Sequence, residues 1–450
     1  MRASEIARAV TARQTTARDV AEQALARIAA RHDLNAVVTI DPERTRAEAD
    51  AVDRRLAVGE ALPLAGVPVV VKDNIWVAGW RITQGSLLFA DFTAPEDAIA
   101  IARLRRAGAV IVGIGATSEF ACKGVTTSPL FGPTRHPRDP SLTPGGSSGG
   151  PATAVAAGLV PLAIGTDAGG SSRRPPAHVG VVGFKPSYGA IPYGPGFAEP
   201  FWGISVIAPI AADVDDARLA FEVMAGADPR DPDAFDVTAA SETRSLRIAF
   251  SPRLGLDVAV DDDVRAGLEQ AVDRLSAAGM PIVRKDPIWP AGLAEDAVMP
   301  LQHAGLAALY GDAFTRDASQ FDPDIAKQIA RGLGLSGADV ARALEASTRI
   351  ARAFAGFFMD IDVLLAPTVP CVAWPLTQLG PSEIGGKPAS PRAHAVFTPY
   401  ANHAGVPAIS IPCGTNARGL PYGLQLIAAR GRDRLLLDVA ARAERVMRRT

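Results

Sequence analysis

Residues 145–175 read GGSSGGPATAVAAGLVPLAIGTDAGGSSRRP, and the order of elements inside them sets the fold class. LVPLAIGTD, from Leu159 to Asp167, is an apolar run of the length of a buried strand. The alanine-rich residues after Pro151 read as a short helix opened by a proline. One glycine-rich turn precedes that helix, a second follows the strand, and both carry serines. A helix feeding a buried strand through tight turns belongs to an α/β architecture.

The same alternation extends in both directions. Thr16 is placed to cap a helix with Val20, Ala24, Leu25 and Ile28 on one face, and a strand over Leu34–Ile40 and a helix over Glu43–Val58 follow. The apolar run Gly66–Val71 then ends in Lys72, Asp73 and Asn74. Asp97–Ala107 reads as a helix closed by Gly108, and Val110–Val112 as a strand. Further strands are expected at Leu246–Phe250 and Ile361–Leu365, and helices over Asp261–Gly279, much of Leu293–Phe358, and Asp433–Arg449.

Composition narrows the classes of function. With 48% apolar residues in 450, the chain can bury a large core. Its 46 basic and 48 acidic residues are interspersed, so no direct grip on nucleic acid is expected. Cys122, Cys371 and Cys413 form no CxxC pair and suggest neither a disulfide framework nor a zinc site, which fits a reducing cytoplasm. No apolar run reaches the roughly 20 residues of a membrane span, and the first residues lack the apolar core of a secretory signal.

Three features carry chemistry. Lys72 ends the strand-like VPVVVK, where it either snorkels to solvent or, desolvated, becomes a base with a lowered pKa. GGSSGG at 145–150 runs into residues that must be buried, which speaks against a flexible linker, and the chain lacks the GxxxxGK[ST] of a phosphate cradle. In GTDAGGS, a strand ends in glycines and then Ser171; such a turn can aim successive N–H groups at an oxyanion while the serine attacks. The six histidines, His32, His136, His178, His303, His394 and His403, have no motif tying them to Ser171, so the base is sought elsewhere.

Lys72-Asp73, GGSSGG and GTDAGGSSR, with Ser147 and Ser171 separated by 24 positions, stand in an ordered set. LNAVVTID precedes them; GVVGFKPSYG at Gly180–Gly189, DVLLAPT at Asp362–Thr368, ANHAGVPAISIPCG and GLPYGLQLI follow. The set resembles the amidase signature family over nearly the whole chain. That resemblance implies a single α/β/α domain over 1–450 with a central twisted mixed sheet covered by helices. Within it fall a helical region at 1–60, a catalytic core at 61–200 and a pocket-shaping helical segment at 293–358. It further implies Ser171 as nucleophile, Ser147 as a bridging serine in a cis peptide and Lys72 as base. The N–H groups of Ala168, Gly169, Gly170 and Ser171 would form the oxyanion hole, and Ser148, Asp167 and Arg173 would support the site. No metal or organic cofactor is called for.

Ser172 and Arg174 depart from the aliphatic residues usual around that arginine, and Arg174 is expected as a solvated charge, with substrate contact as the alternative. Phe197, Phe201 and Trp202 are candidate pocket walls that would admit an aryl or bulky acyl group, although aromatics in such a stretch are more often simply packed. The resulting expectation is a free-standing hydrolase of a small-molecule amide, anilide or carbamate (urethane), with no nucleic-acid or membrane partner and an oligomeric state that the sequence leaves open. The alternative is the A subunit of a tRNA-dependent amidotransferase, releasing ammonia from glutamine for a partner.

Overall fold

The computed structural model describes residues 2–237, 246–293 and 296–448. Eleven strands make one mixed sheet: β1 Val37–Thr39, β2 Pro68–Lys72, β3 Val110–Gly115, β4 Leu162–Asp167, β5 Val182–Lys185, β6 Val206–Ala211, β7 Ile248–Phe250, β8 Ile282–Arg284, β9 Val363–Pro367, β10 Ala408–Thr415 and β11 Pro421–Ala428. Their spatial order is β1-β3-β2-β4-β6-β5-β10-β11-β9-β7-β8. β2 runs parallel to β3 and β4, β7 parallel to β8 and β9, and the remaining pairs are antiparallel. β2, β3 and β4 are buried at every residue, as strands covered on both faces must be.

Helices cover the sheet: α1 Ala3–Thr11, α2 Ala17–Ala30, α3 Pro42–Ala57, α4 Ile99–Arg106, α5 Gly149–Ala156, α6 Arg174–Val179, α7 Val214–Met224, α8 Asp262–Ala277, α9 Met299–Arg316, α10 Pro323–Leu333, α11 Gly337–Phe357, α12 Pro399–His403 and α13 Asp433–Met447. Thr16 caps α2 as its sequence position suggested, its side chain accepting from Asp19 N at 3.0 Å. The segment expected to be helical after residue 293 resolves into α9, α10 and α11. The closing helix ends at Met447 in the described residues, and its expected last residue, Arg449, lies outside them. No helix among the described residues is long and apolar enough to cross a membrane.

Two connections decide what the sheet presents. β2 and β4 are parallel neighbours, with Val71 opposite Ile164, so Lys72 and the Thr166–Asp167 end emerge at the same edge. The turns leading into α5 and α6 meet at that edge, and the two short helices pack on each other. Gly183 in β5 permits this approach, because a Cβ there would fall 1.9 Å from the Ser172 carbonyl oxygen. Gly183→Ala must therefore move the 171–173 turn, and we expect it to lower stability by about 1–3 kcal/mol. Gly356→Ala on α11, where a Cβ meets nothing within 4 Å, is the control. It should be neutral or raise the thermal midpoint. Thermal melting of the two variants checks this; equal midpoints would contradict the packing argument.

Candidate active site

Lys72 does not snorkel: its side chain is fully buried. Nζ lies 2.8 Å from Ser147 Oγ and 2.9 Å from Thr166 Oγ1, and Asn74 Nδ2 donates to the same threonine oxygen at 3.0 Å. Burial pushes the ammonium down to about 7, against the pull of Asp167, which raises it. Thr166 and Asn74 were not singled out from sequence. The available signal was a threonine closing an otherwise apolar strand beside the motif aspartate.

Ser147 stands one residue before Ser148, the N-cap of α5, and its peptide bond to Gly146 is cis. Ser148 Oγ donates to Thr166 O at 3.2 Å and lies 3.3 Å from Ser172 Oγ, so it braces one turn against the other. Ser171, 7% exposed, opens onto a cavity of about 520 Å³. Among the described residues no hydrogen bond joins Ser171 Oγ to Ser147 Oγ, so the Ser171 hydroxyl rotor is unpinned.

The turn that presents Ser171 is wrapped around Asp167. That carboxylate accepts from Gly170 N at 2.7 Å, Ser172 N at 3.1 Å, Arg173 Nε and Nη2 at 2.9 Å each, and Asn402 Nδ2 at 2.9 Å. Burial alone would raise Asp167, but the Arg173 guanidinium holds it well below the usual carboxylate range. Arg173 also donates to Thr398 O, Gln425 Oε1 and Asn402 Oδ1, which satisfies its whole fork. Gly170 takes φ +112°, and a Cβ there would fall 2.1 Å from Thr398 Oγ1.

One expected oxyanion donor is corrected by this network. The Gly170 N–H is committed to Asp167, whereas no acceptor among the described residues takes those of Ala168, Gly169 and Ser171. The aromatic expectations divide as well. Phe201 lines the cavity; Phe197 is packed among Trp76, Phe89 and Phe92 at centroid distances of 5.7, 4.9 and 5.0 Å. Trp202 is 51% exposed and donates to Leu301 O at 2.7 Å, outside the cavity.

The remaining wall is mixed, with Ile204, Met299 and Leu301 as apolar members. α9 and α10 contribute Gln302, His303, Lys327 and Arg331, and the segment before α12 contributes Arg392 and His394. Arg174, expected in solvent, is instead 7% exposed and lines the cavity beside Ser171. Among the described residues no group of three or more His, Cys, Asp or Glu is gathered in a way that could hold a metal ion.

A carbonyl held at free N–H groups beside a serine, with a second serine on a desolvated lysine, is the equipment of acyl transfer. Comparison with known proteins agrees. The pattern that defines the Amidase family matches residues 19–437, and the chain belongs to this family of C–N hydrolases, the amidase signature enzymes. It is 38% identical to the A subunit of the glutamyl-tRNA(Gln) amidotransferase of Deinococcus deserti, over 98% of this chain and 96% of that protein. Among solved structures it superposes on a bacterial aryl acylamidase with TM-score 0.91 and 29% identity, covering 99% and 96% of the two chains. It also superposes on a chain of a vestigial protein complex that bears on the evolutionary origins of an s-triazine catabolic enzyme, with TM-score 0.88, 32% identity and coverage of 100% and 98%.

These relatives overturn the expected partners. The Deinococcus relative is one component of an enzyme named for a tRNA-bound substrate, so a chain that engages only a small-molecule amide or carbamate no longer stands. The neutral surface charge misled because it reports on direct contact with nucleic acid and is silent about contact made through another protein.

The buried ion pair generates a prediction. Asp167→Asn leaves the Arg173 cation buried without a counter-charge, and we expect a loss of about 3–5 kcal/mol. Chemical denaturation with Asp50→Asn as a control, at an exposed pair with Arg18, should show the contrast; equal losses would refute it.

Proposed function

We propose that this chain is the amide-hydrolysing component of an amidotransferase-type assembly, freeing ammonia from the side-chain amide of glutamine while bound to a partner protein. The carrying observation is the likeness to the amidotransferase relative, 38% identical across 98% of this chain and 96% of that protein. That a structural relative at 32% identity belongs to a protein complex is consistent with a chain that associates with a partner. Among the residues that line the cavity with Ser171, the cations Arg174, Lys327 and Arg331 suit an amide that carries a negative charge.

In this reading neutral Lys72 accepts a proton from Ser147 as Ser147 accepts one from Ser171, and the Ser171 oxygen attacks the amide carbon. The oxyanion settles on the N–H groups of Ala168, Gly169 and Ser171; each such donor is worth about 3 kcal/mol. The proton returns through Ser147 to the leaving nitrogen, ammonia departs, and an ester between Ser171 and the acyl group remains. Water, deprotonated by the same relay, cleaves that ester, so the sum is glutamine plus water to glutamate plus ammonia.

The base works only unprotonated. Since burial sets Lys72 at about 7, kcat/KM should rise about tenfold per pH unit below that value and level off above it. A profile that is flat or falls through this range would remove Lys72 from the role.

The function itself is tested by ammonia release from glutamine, asparagine and an acetanilide, with the chain alone and with the other amidotransferase components of the same genome. Glutamine turnover that grows with the partners and vanishes in Ser171→Ala is the expected result. Turnover of the anilide by the chain alone, with glutamine untouched in both settings, would sink the proposal.

A further inference from the structure

Arg173 and Arg174 are neighbours in sequence and are both buried, yet they are used in opposite ways. Every donor of Arg173 finds an acceptor inside the protein. Arg174 makes one long hydrogen bond, from Nη2 to Gly146 O at 3.4 Å, and its buried Nε has no partner. No carboxylate among the described residues lies within ion-pair distance of it.

The carboxylate of Asp167 is close enough for Arg174 to feel it, but it is already paired with Arg173. His178 and His394 face it, and burial, reinforced by the Arg174 charge, pushes both imidazoles down, His178 to about 3, so both are neutral at ordinary pH. Both ring nitrogens of His178 and Nδ1 of His394 are themselves buried without a partner. Arg392 is a second cation close enough to be felt, and its own carboxylate, Asp296, lies 4.0 Å from it. Burial first and then Arg392 push the Arg174 guanidinium down to about 9, which still leaves it charged near neutral pH.

A buried cation without a counter-ion costs several kcal/mol, and a folded chain keeps one where a ligand supplies the missing charge. The place is well defined. Arg174 Nε would be 3.0 Å from a Cβ on Gly170, the residue before Ser171, and Arg174, Ala168, Gly169 and Ser171 line the same cavity. An anion on the guanidinium thus shares a chamber with the candidate nucleophile, and the planar fork of arginine matches the two oxygens of a carboxylate.

We infer that Arg174 binds a free carboxylate of the substrate, which is therefore the ω-amide of a short acid, anchored at one end by Arg174 and presented to Ser171 at the other. The inference rests on the reading of Ser171 as the amide-cleaving residue and names the substrate class of that site. Glutamine belongs to the class, as do asparagine and the mono-amides of succinic and glutaric acid; simple neutral amides and anilides do not.

Binding tests this apart from turnover. In full-length Ser171→Ala, calorimetric titration with glutamine, succinamate and glutaramate should show saturable binding, and butyramide, their uncharged counterpart, should bind at least about tenfold more weakly. Adding Arg174→Leu should weaken the acids about 100-fold and butyramide by less than about threefold. Arg174→Lys, which keeps the charge and loses the fork, should fall between. Melting curves check that the variants fold, and Arg174→Gln replaces the leucine variant if that one does not. Acids whose affinity is indifferent to Arg174, or that fall by the same factor as butyramide, would overturn the inference and leave Arg174 a packing role. Failure of ammonia release with carboxylate binding intact would remove the proposed function and leave this assignment standing; the reverse pattern would do the opposite.

Discussion

The candidate site depends on one buried carboxylate. Asp167 ends β4 and gathers five hydrogen bonds from the turn that follows it, from Arg173 and from Asn402. A turn with two glycines has little reason of its own to hold one shape, since glycine gives up more conformational freedom on ordering than any other residue. Winding it around a fixed charge supplies that reason. Once the Gly170 and Ser172 N–H groups bond to Asp167, those of Ala168, Gly169 and Ser171 are left without an acceptor among the described residues. The charge that shapes the turn thus also sorts its donors.

The same carboxylate reaches the lysine. Burial by itself would drive Lys72 far down, and Asp167 is the largest influence pulling it back, with a result near 7. Were Asp167 neutral, Lys72 would be a weaker base; were Lys72 in water, it would be protonated throughout the physiological range. Arg173 keeps Asp167 ionised and is in turn held by Thr398, Asn402 and Gln425, from the last quarter of the chain. Closure of the C-terminal strands and α12 onto the sheet is therefore a condition for the basicity of a residue near the beginning.

How much of this was legible in the sequence follows from how local each feature is. The strand that delivers Lys72, the strand ending at Asp167, the Thr16 cap and the serine turns are written in runs of ten residues or fewer, and the structure has them within a few positions. The assignment of Gly170 to the oxyanion hole failed because the competing acceptor, Asp167, becomes available only once the turn closes on it. For Phe197 and Trp202 composition leaves both a wall and simple packing open; one is packed by Trp76, Phe89 and Phe92, and the other bonds to Leu301 outside the cavity. Asn402 lies in ANHAGVPAISIPCG, so its segment was visible while its partner, more than 200 residues away, was not.

Arg174 shows the limit most clearly. An arginine beside a second arginine at the start of a short helix reads as a surface charge, because nothing nearby in sequence would bury it. Its burial comes with the tertiary fold, which brings the charges of Arg392 and Asp167 and the neutral rings of His178 and His394 close enough to interact with it. Structural arginines are completed by acceptors of the protein, as Arg173 is, because the folded state bears the whole cost of an unpaired charge. An arginine left incomplete at a cavity wall places that cost on the empty state and returns it on binding. That makes the interaction selective, since a neutral amide of the same length would fill the chamber and leave the charge unanswered.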